Sequence, residues 1–67
     1  MFNKKKFRAS VIAAGFNMDA IAEQLNINPA TLYRKINGSS DFTRTEIKEL
    51  QKILSLNIND TMEIFFA

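Results

Sequence analysis

"NMDAIAEQLNINPATLYRKING", residues 17–38, holds two helix starts and two helix stops with only Asn26, Ile27 and Asn28 between the helices. Asn17 is the cap of the first helix, because its side chain can accept an unpaired N–H of the first turn. Asp19 then suits the positive end of the helix dipole, and Phe16 can pair with Ile21 across the cap. Asn28 caps the second helix, and Pro29 takes the first helical position, where its missing N–H costs nothing. Ile27 pairs with Leu32 across that cap, and Gly38 ends the helix because glycine adopts the left-handed conformation without strain. Ile21 and Leu25 face inward one turn apart. So short a link predicts a steep crossing of the two helices, with the small Ala22 at the closest approach and Asn26 in the turn.

The second of these helices has a two-sided character. At about 100° per residue, Leu32 and Ile36 mark the buried direction. Arg34 points nearly opposite, flanked by Ala30, Thr31 and Asn37, with Tyr33 and Lys35 on the two borders. Small residues in the first turn let a flat object approach closely. One turn later, an arginine can fork onto a guanine edge or a phosphate. Taken alone, "LYRKI" reads as an ordinary amphipathic surface helix with solvated charges. The preceding helix and the tight turn shift the reading to a helix-turn-helix that presents its second helix to the DNA major groove.

The flanking sequence continues the same punctuation. Thr43 and Glu46 form a capping box, with Phe42 and Ile47 as a hydrophobic staple. The helix that follows turns Ile47, Leu50, Ile53 and Leu54 inward and Lys48, Glu49 and Lys52 outward. Roughly Lys4 to Ala14 forms a first helix, with Phe7, Val11 and Ala14 inward and Gly15 as its stop. "NINDTMEIFFA" forms a short last helix capped by Asn57 or Asn59. No segment alternates as a strand, so the expected fold is all-α: one domain over 1–67, a compact bundle of about five short helices. The helix-turn-helix occupies about 17–38 and the C-terminal helices 43–66.

Composition narrows the function. Sixty-seven residues make a small core, and the absence of Cys and His removes disulfides, thiolate metal sites and the commonest general base. With scattered carboxylates and no glycine-rich phosphate loop, neither an enzyme nor a metal or cofactor site is expected. No apolar run is long enough to cross a bilayer or to act as a signal peptide, which suggests a cytoplasmic protein with no membrane partner. Residues 1–38 carry six basic against two acidic side chains, and residues 39–67 three against five. A basic half joined to an acidic half points to a polyanion on one side.

Residues 17–38 resemble the Cro/repressor-type helix-turn-helix family of phages and their bacterial relatives. Ala22 meets the family's inward alanine, and Ile21, Leu25 and Ile27 meet its apolar residues around the turn. Thr31 meets its early threonine or serine, and Asn37-Gly38 its closing pair. "FTRTEIKELQKILSL" and "IFF" extend the likeness over about residues 7–66. The chain departs from the pattern at Met18, where glutamine is frequent, at Asn26, where the turn glycine stands, and at Lys35, which occupies the position three after Leu32 where an apolar residue is usual, with Ile36 next to it.

The resemblance implies a repressor of phage or prophage origin in a bacterial host, bound to double-stranded DNA without a small-molecule ligand. It implies base contacts from Ala30, Thr31 and Arg34, with Tyr33 a further candidate. Phosphate contacts would come from Asn17, Asn28, Lys35, Asn37, Ser39 and Ser40. Lys4, Lys5 and Lys6 are either a solvated terminus or additional phosphate ligands, since cations gain nothing at a helix N-terminus. Ile64, Phe65 and Phe66 are costly to leave in water. They are expected to divide between core and a homodimer surface, the dimer reading a palindromic operator. The competing expectation is a protein-binding module, antitoxin-like or anti-repressor, on the same fold.

Overall fold

A computed structural model describes residues 2–66 and contains five helices: α1 Lys4–Ala13, α2 Met18–Gln24, α3 Pro29–Ile36, α4 Arg44–Ile53 and α5 Ile58–Phe65. Among the described residues there is no strand. Each helix begins on a side chain that accepts a first-turn N–H: Asn3, Asn17, Asn28, Thr43 and Asn57. The Thr43–Glu46 capping box forms in both directions, at 3.1 Å to the hydroxyl and 2.7 Å to the carboxylate. The last helix is capped by Asn57, which leaves Asn59 inside it.

Four helices stop in the same way. Gly15, Asn26, Gly38 and Ser55 all have positive φ, at 82°, 56°, 88° and 53°. The next residue's N–H then reaches back to a carbonyl of the last turn: Phe16 to Val11, Ile27 to Ala22, Ser39 to Arg34 and Leu56 to Gln51. This paired closure satisfies carbonyls that would otherwise lack donors. Glycine supplies the conformation freely; at Asn26 the short polar side chain makes it tolerable.

Phe7, Val11, Ile21, Ala22, Leu25, Leu32, Ile36, Leu50, Leu54 and Ile64 form the core, with contributions from every helix. α2 packs on α3, and α1 on α5. Ala22 is buried beside Ile21 and Leu25, as the short turn requires. Ala14, expected inward, is exposed, because α1 ends at Ala13 and the closing turn swings that position out. Phe2, Phe7, Phe42 and Phe65 form an aromatic cluster with ring centroids 5.2–6.5 Å apart, joining the N-terminus, the α3–α4 loop and α5. Aromatic pairs at these separations are worth about 0.5 to 1.5 kcal/mol each beyond their buried area.

Candidate DNA interface

The two faces of α3 behave differently. Leu32 and Ile36 are buried at 0% and 2% exposure, anchoring the helix. On the outer side Ala30 and Arg34 are exposed and Thr31 is half-buried. The Arg34 guanidinium donates to the Thr31 hydroxyl at 3.2 Å, so the side chain lies back along the first turn instead of extending into solvent. This direction follows from helical side chains tilting toward the N-terminus. The result is a patch of one small residue, one hydroxyl and one forked cation on the N-terminal half of the helix.

Lys35, the next residue, has the opposite fate. Its ammonium pairs with Glu46 at 3.0 Å, donates to the Asp41 carbonyl at 3.0 Å and sits 5.9 Å above the Phe42 ring. Only 11% of its side chain is exposed. The phosphate contact expected of Lys35 is therefore corrected: its charge is consumed in a seam that locks the end of α3 to the start of α4. Burial alone would raise the Glu46 carboxyl. The Thr43 N–H and Lys35 outweigh it, and the net result lies below the usual glutamate value.

The three N-terminal lysines also separate. Lys6 pairs with Glu63 at 2.7 Å and Asp60 at 3.4 Å, which ties α1 to α5 and raises the lysine above its ordinary value, chiefly through the Glu63 hydrogen bond. Lys6 thus has the structural role that the sequence did not reveal, and it is corrected out of the phosphate set. Lys4 instead donates to the Asn37 side chain at 3.1 Å, at the end of α3. Lys5 is exposed. The N-terminus is held for this by the Asn3 N–H, which donates to the Ile64 carbonyl at 2.7 Å.

Polar groups flank the outer strip of α3 on both sides. On the Lys35 border, a groove of about 740 Å³ has Lys4, Asn37 and Ser40 along its rim and Phe2, Phe42 and Phe65 in its floor. Ser39 is exposed beside it. On the Tyr33 border, a hollow of about 320 Å³ is shared by Asn17, Met18 and Tyr33 with Arg8 and Ile12 of α1. Asn17 and Asn28 accept the N–H groups of Ala20 and Ala30, each at 2.8 Å, which turns their amide NH2 groups outward as donors.

The expected dimer residues do not stay together. Ile64 is fully buried and is corrected to core; Phe65 is half-buried in the aromatic cluster; Phe66 is exposed at 57%. Ile58 and Met62, exposed at 76% and 52%, extend Phe66 into a stripe one turn apart along α5. The spacing of four between these residues was the available signal.

An exposed, polar-tipped second helix braced by a first across a four-residue link, residues 25–28, defines a helix-turn-helix of the kind that binds DNA. Residues 13–37 match the family model described as bacterial regulatory protein, Fis family. The match covers α2, the turn and α3, well under half of the chain. No curated protein and no solved structure matches. Match and geometry together support sequence-specific DNA binding by a helix-turn-helix regulator. Among the described residues, no helix is long and apolar enough to cross a membrane.

Proposed function

We propose that this chain is a Cro-like transcriptional repressor of phage or prophage origin, working in the bacterial cytoplasm as a single domain. It reads the major groove with α3. The observation that carries this reading is the outer strip of α3, where Arg34 lies back over Thr31 beside Ala30 while Leu32 and Ile36 are turned inward. Arg34 is the natural reader of a guanine, since its fork matches the two acceptors on that base edge. Ala30 leaves room for a thymine methyl, and Thr31 sits between them. Asn28, Asn37, Ser39, Ser40 and Lys4 supply donors for the sugar–phosphate backbone.

Two copies would bind a palindromic site. The chain measures 28 × 25 × 21 Å, and half-sites one turn apart are separated by about 34 Å. Two such bodies side by side can span that distance. The stripe of Ile58, Met62 and Phe66 is suited to the contact between them, being apolar and able to meet its own copy across a two-fold axis.

The same stripe favours a second reading, a protein-binding module whose partner covers α5. Selection from random duplexes, repeated with Arg34→Ala, separates the two. A repressor selects a palindrome and loses its preference in the variant. A protein-binding module selects no duplex, and Arg34→Ala leaves its partner binding intact.

A further inference from the structure

The hollow on the Tyr33 border is the least explained part of the surface. Arg8 lies exposed on α1 and takes part in none of the ion pairs among the described residues, which engage Lys6 and Lys35. It shares the hollow with Asn17, whose carbonyl oxygen is occupied by the Ala20 N–H and whose NH2 group remains a donor. Tyr33, 41% exposed, brings a hydroxyl from α3. Between these polar groups lie Ile12, Phe16 and Met18, and Ile12 is 75% exposed with no partner in the fold that accounts for it.

A cation and an amide donor around an apolar floor match one kind of ligand that adjoins a helix in a DNA groove. The backbone of the duplex presents an anionic phosphate and, beside it, a deoxyribose with an apolar face. An α-helix in the major groove has such a backbone on each side. On the Lys35 border that backbone would lie against Lys4, Asn37 and Ser40, which line the groove there. On the opposite border it would lie against this hollow, whose one positive charge is Arg8. We infer that the hollow between α1, the start of α2 and Tyr33 is a seat for one sugar–phosphate unit of the bound duplex. Arg8, Asn17 and Tyr33 hold the phosphate, and Ile12 and Met18 pack on the sugar. The inference rests on the DNA-binding reading and deepens it: Tyr33 becomes a backbone contact instead of a base contact, and α1 becomes part of the interface.

The test is salt-titrated binding of the wild-type chain, Arg8→Gln and Tyr33→Phe to the selected duplex and to an unrelated duplex of equal length. Arg8→Gln is expected to weaken both duplexes by the same factor and to reduce the slope of log K against log salt by about 0.9, the loss of one phosphate contact. Tyr33→Phe weakens both equally but less, and neither variant changes the bases selected. Ethylation interference with the wild-type chain needs no variant. It is expected to reveal one sensitive phosphate per half-site on the flank facing Tyr33. Wild-type affinity and slope in Arg8→Gln, altered base selection in either variant, or silence at that flanking phosphate overturns the seat. If the wild-type chain selects its bases while Arg8→Gln matches it, the seat alone fails. If the wild-type chain binds no duplex, the DNA-binding reading fails and the seat with it.

Discussion

α3 and α5 are each eight residues long, each with one side in the core and one in water, yet their outer sides are built in opposite ways. α3 shows Ala30, Thr31 and Arg34; α5 shows Ile58, Met62 and Phe66. Their inner sides are alike, with Leu32 and Ile64 both fully buried. Folding energy therefore comes from the inner sides, and the outer sides are available for partners of different chemistry: a polyanion for α3, an apolar surface for α5. The contrast also separates Arg34 from Lys35, adjacent in the chain but divided between partner and fold.

The severest way to break the separation is to attack an inner side. Leu32→Ala should cost about 3 kcal/mol of stability, the usual range for a buried leucine in a close-packed core. A chain of this size has little reserve, so urea denaturation should show a large fraction already unfolded in water, and DNA binding and self-association should fall together. Arg34→Ala should do the reverse. Its melting temperature should match wild type while base preference drops by about 1 to 3 kcal/mol per half-site in a competition assay. Equal weakening on all sequences would move Arg34 to the phosphates.

The Lys35–Glu46 seam sharpens the contrast, since it lies on α3 but serves the fold. Glu46→Ala should cost about 2 kcal/mol by removing a helix cap and half of a mostly buried ion pair. The Glu46 carboxyl has a lower pKa folded than unfolded. Its contribution is therefore fully present above the unfolded value of about 4.3 and is lost as pH falls through the lower folded value. Denaturation curves between neutral and acid pH should show this loss in wild type, and a smaller one in Glu46→Gln, which keeps a cap without the charge.

On α5, Met62→Lys should leave the fold intact and abolish any dimer seen by sedimentation. Full-operator affinity should fall while half-site affinity is retained. The smallest expected effect separates the lysines. Lys4→Ala should lower the salt slope by about 0.9 at unchanged base preference, whereas Lys6→Ala should weaken the α1–α5 contact without altering the slope.

The helix-turn-helix was legible because its signals are local. Asn17, Asn28 and the Thr43–Glu46 box each act on a backbone group within three residues, and Gly15 and Gly38 stop helices by their own conformation. Asn3, ahead of the lysines, is a cap signal of the same kind. What stayed hidden depends on distant packing. Glu46 meets Lys35 only because α4 folds back against the end of α3, and Lys6 meets Glu63 only because α1 packs on α5. The phenylalanine cluster likewise joins positions from both ends of the chain, which no spacing rule connects. Arg34 could be read from helical periodicity, but its bond to Thr31 required the side-chain direction as well.

The claim beneath these predictions is that the outer side of α3 enters the major groove. The most direct measurement is a nuclear magnetic resonance titration of the labelled chain with its selected duplex. The account predicts the largest perturbations in residues 29–37, with further changes at Asn17, Ser39 and Ser40. Perturbations confined to Ile58, Met62 and Phe66, with α3 unmoved, would contradict it.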